Sequence, residues 1–317
     1  MATSTSVSTT YAGEKAGGYI KVALLSSPTL DKGLITIKPN IKYKEVVKKM
    51  TADGLFQDRS CDFNSTGSVT ITERILEPKE LQVNQQVCKA PFRQDWEATQ
   101  MGFSAHDNLP PTFSEFIVAH YVAATAQNNE INIWRGTDVD GGYNGFATLL
   151  AVDAALPTAN EVTGTTVDAT NVIAELTKIT NAIPNTIYGS PDMVVYVSQN
   201  IYRAYVTALG GFGANGLGAN GVNGQGTQWY AMGSGLMING VRLEMVNGLA
   251  ANTAIAAEST NLWFGTGLLN DHNDVRVIDM ADIDGSDNVR FVMKFTAGVQ
   301  YGNVTEIVTY GITNNAN

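Results

Sequence analysis

The clearest hydrophobic pattern lies near the end of the chain. Between residues 289 and 297 the apolar side chains of Val289, Phe291, Met293 and Phe295 alternate with other residues. A period of two residues is typical of a β-strand with one buried face. Further strands are predicted at residues 275–280 and 304–310, so the segment 261–310 is interpreted as a run of strands and turns.

A second pattern, with apolar residues three to four positions apart, predicts a long helix at residues 112–134. Two prolines precede it, Thr112 and Glu115 have the spacing of a capping box, and Gly136 follows its end. A helix of this extent would span on the order of 30 Å. The predicted apolar face consists of Phe113, Ile117, His120, Tyr121, Ala124, Asn128 and Ile131.

The next part of the chain predicts a compact α/β unit. A helix at residues 168–183 is followed by a strand at 193–197 and by a helix that Ser198 caps and two glycines end. Residues 210–226 contain eight glycines in seventeen positions and predict a flexible loop. This loop contains G-x-G-x-x-G twice, but a helix precedes it and further glycines follow, which is the wrong context for a dinucleotide site. We therefore expect no cofactor.

A polar hairpin is predicted earlier in the chain. Two strand-like runs at residues 55–63 and 68–76 bracket a turn signal at residues 64–67. The second run mixes Val69, Ile71 and Ile75 with threonines and charged residues, so both faces cannot be buried within its own domain. The pattern fits a hairpin that packs on another body, and it also fits an ordinary surface hairpin.

Composition favours a globular protein with a substantial core. The chain has 317 residues, of which 44% are hydrophobic and 16% charged. Its two cysteines, Cys61 and Cys88, are too few for a disulfide framework and lack neighbours at metal-ligand spacing. The chain begins without a secretory pattern and has no run of 18 apolar residues, so we expect a soluble protein that is not exported.

Charge is unevenly distributed along the chain. Residues 1–50 contain eight lysines against three acidic residues, a balance of +5, and the net charge of −10 leaves −15 for the rest. The lysines are dispersed, with no arginine or aromatic platform around them. Contact between this basic arm and acidic neighbouring subunits is therefore favoured over nucleic-acid binding, which stays open as an alternative.

No constellation of catalytic residues accompanies these elements. Four aspartates, at positions 279, 282, 284 and 287, raise the possibility of calcium binding, but the twelfth position counted from Asp282 is Met293. A hairpin turn on Asp284 and Gly285 accounts better for them. The chain has three histidines and no G-x-S-x-G motif, and His120 is interpreted as a core histidine. We expect neither an enzyme nor a metal site.

The order of these elements resembles the major capsid protein of tailed phages, the Hong Kong ninety-seven type of fold. The amino-acid sequence is most similar to this family at residues 83–96, which begin Val-Asn-Gln-Gln-Val-Cys, and at residues 261–267. The resemblance implies an α+β fold with an N-terminal arm (1–50) and an extended hairpin loop and return (51–100). A peripheral domain with a spine helix (101–159 and 251–317) and an axial α/β domain (160–250) complete it. The strands at 275–280, 289–297 and 304–310 would share the peripheral sheet.

The resemblance also implies a function. The protein would be a structural virion component that self-assembles into hexamers and pentamers of an icosahedral capsid, assembled in the host cytoplasm around double-stranded DNA. A separate scaffolding protein, a portal and decoration proteins would be its partners, and no membrane would be involved. An encapsulin-like nanocompartment shell protein and a β-rich carbohydrate-binding protein remain the alternatives.

Two sets of residues are predicted to contact neighbouring subunits. The hairpin would contribute Asn64, Ser65, Thr66, Gly67, Glu73 and Arg74. The arm would contribute Lys21, Lys32, Lys38 and Lys42.

Overall fold

The computed structural model describes residues 9–12, 27–41, 43–54, 56–59, 61, 65–88, 111–139, 141–210, 236–267, 274–281 and 283–316. In chain order its helices are α1 (Pro28–Asp31), α2 (Pro111–Arg135), α3 (Phe146–Leu150), α4 (Val172–Ala182) and α5 (Gln199–Gly210). The strands are β1 (Thr9–Ala12), β2 (Thr36–Lys38), β3 (Glu45–Asp53), β4 (Ser68–Leu76), β5 (Lys79–Cys88), β6 (Glu161–Val162), β7 (Met193–Val197), β8 (Met237–Ile238), β9 (Val241–Met245), β10 (Ala254–Glu258), β11 (Leu262–Thr266), β12 (Asp274–Asp279), β13 (Asn288–Tyr301) and β14 (Val308–Tyr310). Within these residues they form an α+β structure with two six-stranded sheets and a two-stranded hairpin.

The first sheet is built around β13, which pairs with β5, β11 and β12. The predicted alternation is confirmed, because Val289, Phe291 and Met293 are buried while Arg290 and Lys294 are exposed. The buried face packs against α2, where the ring of Tyr121 stacks on Phe291 with centroids 4.9 Å apart. One side of the sheet is therefore core, and the other faces solvent.

The second sheet has the strand order β6-β14-β10-β7-β9-β8 and belongs to a separate core with α4 and α5. The predicted strand at 193–197 and the helices on either side of it are confirmed. The strand predicted at residues 304–310 exists only at 308–310, and its assignment to the sheet of β13 was wrong. Residues 304–306 form a 3-10 turn, and β14 lies between β6 and β10 rather than in the sheet of β13. The buried side chains of Val308 and Tyr310 pack in the second core, which strand periodicity alone could not indicate.

The long helix exists as predicted and runs from Pro111 to Arg135. Most described residues of its predicted buried face are exposed, namely His120, Ala124, Asn128 and Ile131, so the interpretation of His120 as a core histidine was wrong. Tyr121 packs on Phe291 as expected, and the side chains of Phe113 and Ile117 are outside the described part. The buried side includes Val118, Val122, Thr125, Ala126, Asn129, Glu130, Ile133 and Trp134. Asn129 and Glu130 are buried on this side although they are polar. A prediction from the spacing of apolar residues could not include them. Their burial requires hydrogen-bond partners.

Glu130 finds its partners in the short helix α1. Its carboxylate accepts hydrogen bonds from the backbone N–H of Thr29 at 3.2 Å and from the Thr29 hydroxyl at 2.5 Å. The same hydroxyl accepts a hydrogen bond from Nε1 of Trp134 at 2.9 Å. These three residues are each at most 2% exposed, and they join the segment before β2 to the long helix. Leu30, Leu34 and Ile35, which fall within the predicted N-terminal arm (1–50), are thus packed into the core.

The Asp-rich segment forms a turn, as predicted. It connects β12 to β13, which pair in antiparallel fashion. Gly285 has a φ of +73°, and Oδ1 of Asp284 accepts a hydrogen bond from the N–H of Ser286 at 2.9 Å. In the described part of the chain no group of three His, Cys, Asp or Glu side chains could hold a metal ion. Residues 211–226 of the predicted glycine-rich loop lie outside the described residues.

No helix among the described residues is long and apolar enough to cross a membrane.

Replacing Thr29 with Val should lower the free energy of unfolding by about 3 kcal/mol. The substitution removes the hydroxyl that donates to Glu130 and leaves a buried carboxyl group with one partner fewer. Denaturant unfolding followed by circular dichroism measures the loss. Thr207→Val is the matched control, because this exposed hydroxyl donates only to a carbonyl of its own helix in the described contacts. A loss for Thr29→Val no larger than for the control would contradict the anchoring role.

Candidate interaction surface on the hairpin

The hairpin differs from its prediction in one strand. β3 pairs with β4 over nine residue pairs, from Glu45 opposite Leu76 to Asp53 opposite Ser68. The predicted first strand at residues 55–63 was wrong, because the described positions among them, 56–59 and 61, form no strand. Gly54 and Gly67 face each other where the strands end, with φ values of +67° and +84°. A ladder of this length extends about 30 Å.

Only the base of the hairpin is packed into the body. Leu76 is fully buried, and a Cβ atom added to Gly265 would lie 3.1 Å from its side chain. Because glycine has no side chain, position 265 leaves room for the side chain of Leu76. All residues from Ser65 to Glu73 are exposed. The hairpin accordingly projects from the body.

One face of the hairpin is apolar. The pairing places Val46 opposite Ile75 and Met50 opposite Ile71, and Val69 lies two residues from Ile71 on the same side. We call these five residues the apolar stripe. Their exposed fractions lie between 46% and 70%. This face also has one positive and one negative side chain, Lys48 and Glu73. They lie 3.2 Å apart and form an ion pair, so their charges cancel.

The opposite face is held at its base by a polar cluster. Arg74 Nη2 lies 2.6 Å from Oδ2 of Asp153, which follows α3. The hydroxyl of Tyr301 donates to the same oxygen at 2.7 Å, and the guanidinium lies 4.7 Å from the Tyr301 ring centroid. The side chain of Gln300 also donates to the carbonyl of Ile75 at 3.1 Å. These contacts fix the direction of the hairpin at its root and leave the apolar stripe facing outward.

The protonation of this cluster follows from its contacts. Burial alone would raise the pKa of Asp153, but hydrogen bonds from Tyr301 and from the N–H of Ala155, together with Arg74, outweigh burial and hold that pKa below its ordinary value. Burial and the nearby carboxylate raise the pKa of Tyr301. Asp153 is therefore ionised and Tyr301 neutral at neutral pH, as their hydrogen bond requires.

The predicted hairpin contacts have partners within the chain. Glu73 pairs with Lys48, and Arg74 pairs with Asp153. Thr66 donates a hydrogen bond to Gln57 across the connection between the strands. Asn64 lies outside the described residues, while Ser65 and Gly67 are exposed beside Thr66. Contact of these six residues with a neighbouring subunit stays a prediction.

Two of the predicted arm lysines can be placed. Lys32 lies 3.2 Å from Glu244, and Lys38 lies 2.6 Å from Glu45 and 4.8 Å from the centroid of the Trp263 ring. Both contact acidic side chains of their own chain, and contact with other subunits stays a prediction. Lys21 and Lys42 lie outside the described residues.

Sequence reasoning missed the apolar stripe and the cluster at its base. Neighbouring positions on β4 alternate between the two faces, so apolar and polar residues appear mixed along the chain. The alternation of Val69, Ile71 and Glu73 with Thr70 and Thr72 was the available signal. Interpreting it required the position of β3, which the predicted first strand had missed.

The comparisons with known proteins identify the fold. No family model and no curated protein matches the chain. Among solved structures, a chain of the cyanophage A-1(L) capsid asymmetric unit matches with a TM-score of 0.57 and 15% identity, over 92% of this chain and 94% of that chain. The fold is that of tailed-phage capsid proteins.

Other capsid structures show the same fold. A chain of the capsid of a native GTA particle has a TM-score of 0.56 and 13% identity, over 99% of this chain and 95% of that one. A chain of the capsid of Myoviridae phage XM1 has a TM-score of 0.54 and 14% identity, over 89% and 90%. The capsid fold therefore extends over nearly the whole chain at low sequence identity, and the resemblance seen in the order of elements is confirmed.

Replacing Asp153 with Asn should lower the free energy of unfolding by about 1 kcal/mol at neutral pH, because the carboxylate partner of Arg74 is lost. The folded-state pKa of Asp153 is depressed, so its contribution is present above the unfolded pKa of about 3.9 and is lost as pH falls through the folded pKa. The difference between wild type and variant should thus be constant from pH 7 to 5 and should shrink below about pH 4.

Denaturant titrations at several pH values measure this difference. Asp192→Asn, at an exposed position, is the control and should change stability by less than about 0.5 kcal/mol throughout. An Asp153→Asn difference that is as large at pH 3 as at pH 7 would show that the carboxylate charge is not its source.

Proposed function

We propose that this chain is a major capsid protein that self-assembles into an icosahedral shell around double-stranded DNA. The observation that carries the proposal is the capsid fold, which extends over 92% of this chain and 94% of the matched cyanophage capsid chain. A likeness of nearly full length on both sides leaves little of either chain outside the shared fold. The mechanism is the burial of surface between identical subunits, without catalysis.

The hairpin is the element best suited to such contacts. A two-stranded hairpin alone is marginally stable in water, and this one has a face of exposed apolar side chains. Covering that face with a neighbouring subunit would remove the apolar area from water and order the hairpin. Interfaces of permanent assemblies bury on the order of 2,000 Å² or more.

The other elements have roles in this proposal. Helix α2 is the spine helix, the sheet of β13 is the peripheral sheet, and the second sheet with α4 and α5 forms the axial domain. The apolar area left exposed on the axial side includes Tyr188, Leu209 and Met237. Packing of these surfaces around rotation axes would give hexamers and pentamers. The basic arm would contact the acidic bodies of neighbouring subunits.

Further partners follow from the same proposal. A separate scaffolding protein would guide assembly in the host cytoplasm, and a portal and decoration proteins would join the shell. Packaged DNA would be contacted without sequence specificity, and the finished protein would reside in the virion capsid. An encapsulin-like compartment of the same fold would enclose a cargo enzyme in place of DNA.

Electron microscopy of the purified protein tests the proposal directly. Rings or closed shells are expected, with and without a co-expressed scaffolding protein, and analytical ultracentrifugation should show the matching large species. Particles isolated from the native source should contain double-stranded DNA, whereas a resident enzyme would identify the compartment. A single monomer peak at all micromolar concentrations, unchanged by scaffolding protein, would contradict the proposed function.

The apolar stripe gives a residue-level test. Ile71→Asp should prevent shell assembly, because the stripe would then place an unpaired carboxylate in a buried contact. The unfolding free energy of the isolated subunit should change by less than about 0.5 kcal/mol, since the side chain is 60% exposed there. Sedimentation velocity measures assembly, and chemical denaturation measures stability.

Thr72→Asp is the matched control. Thr72 is exposed on the same strand but on the opposite face, so the same charge is introduced one residue away. Assembly should survive this change. If both variants assemble like the wild type, the stripe is not part of a subunit interface.

A further inference from the structure

The tip of the hairpin exposes an aromatic side chain. Phe56 lies in the connection between β3 and β4, two residues beyond Gly54, and its side chain is 100% exposed. It is the most exposed of the large apolar side chains that the structure describes. A phenylalanine buries roughly 150–250 Å² when it is enclosed, so exposing the ring to water is unfavourable unless a partner covers it.

The base of the hairpin has a groove of about 570 Å³. Its lining includes the buried side chains of Ile41 and Val299, and its exposed walls include Tyr43 and Ile75. A groove of this volume is large enough to enclose an aromatic ring. Ile75 also belongs to the apolar stripe, so the stripe leads along the hairpin into this groove.

Two ion pairs lie at the groove, and Glu80 adds a further carboxylate to its lining. Lys79 contacts Asp138, and Lys44 lies 2.9 Å from Glu77. Apolar contacts within a polar rim are the usual composition of a contact between proteins, with an aromatic anchor at its centre. With Glu80 the groove and its rim carry one net negative charge, which disfavours an acidic ligand. The apolar side chains of Ile41, Ile75 and Val299 offer contacts to an uncharged aromatic side chain.

The ring of Phe56 cannot reach the groove of its own chain. Gly54 and Gly67 meet at the tip, and the eight residue-to-residue steps from Gly67 to Ile75 span about 26 Å along the hairpin. The polar cluster of Arg74, Asp153 and Tyr301 fixes the root of the hairpin and prevents it from folding back. A second copy of the chain can bring its tip to this position.

We propose that Phe56 of one subunit inserts into the groove at the hairpin base of the next subunit. The two halves of this contact lie at opposite ends of one hairpin, so the contact is heterologous and repeats in the same sense from subunit to subunit. Each hairpin then lies along its neighbour, and the chain of contacts closes when the rotation between subunits allows a ring. This inference rests on the proposed function and adds the residue and the receiving surface.

Disulfide trapping tests the contact in assembled particles. Cys61 and Cys88 are exposed and are first replaced by Ser. Phe56→Cys is then combined with Tyr43→Cys on the wall of the groove, because a disulfide requires Cα atoms within about 7 Å. After mild oxidation, a non-reducing gel should show a ladder of covalent multimers and a loss of the monomer band. Each single-cysteine variant should give no species larger than a dimer.

The matched control combines Phe56→Cys with Ile283→Cys. Ile283 is also exposed and apolar, at 67%, but lies in the turn between β12 and β13. Particles of the Tyr43 variant that show no more multimers than this control would overturn the inference, as would a cross-link confined within one chain. A ladder that appears with Tyr43→Cys and not with the control supports it.

A second variant separates this inference from the proposed function. Phe56→Ala should weaken or prevent assembly, and Phe56→Leu should restore part of it, with subunit unfolding unchanged in both. If the wild type forms shells and Phe56→Ala forms them equally well, the inference fails while the proposed function stands. If the wild type stays monomeric, the proposed function fails and this inference fails with it.

Discussion

The pairing of β13 with three other strands is the constraint on which the body of the molecule depends. β13 pairs with β5 along ten residue pairs, with β12 along six and with β11 along five. The apolar side chains on one face of β13 pack against α2. Because β5 directly follows the hairpin, this pairing also determines where the hairpin leaves the body. A Cβ atom on Gly298 would lie 2.9 Å from Pro78, so strand and hairpin root are in close contact.

The hairpin is fixed to the body at its root, and the rest of its length is exposed to solvent. Its root is held by the burial of Leu76 and by the contact of Arg74 with Asp153 and Tyr301. Beyond the root, the apolar stripe has no cover from the described parts of its own chain. A folded domain gains nothing from exposing such a face, whereas a subunit that assembles can bury it. The capsid fold and the exposed stripe therefore lead to the same functional proposal by independent arguments.

The short helix α1 shows how the N-terminal region joins the body. Thr29 bonds both to Glu130 and to Trp134 on α2, and Leu30, Leu34 and Ile35 are buried nearby. Further along, β2 pairs with β11 in parallel, and β1 pairs with the edge strand β12. These contacts attach the segment 27–38 to the core of its own chain.

The sequence by itself determined the elements whose signal is local. The alternation at 289–297, the extent of α2, the α/β unit around β7 and the Asp284–Gly285 turn all follow from periodicity, caps and turn residues. Only the tertiary structure decided which face of α2 is buried, since Glu130 is buried through hydrogen bonds to Thr29, a residue 101 positions away. It also decided that β14 joins the second sheet and that Glu45–Asp53 pairs with β4. These outcomes depend on contacts between segments that are distant in the sequence. A local pattern predicts a strand or a helix, but it does not determine which distant segment that element packs against.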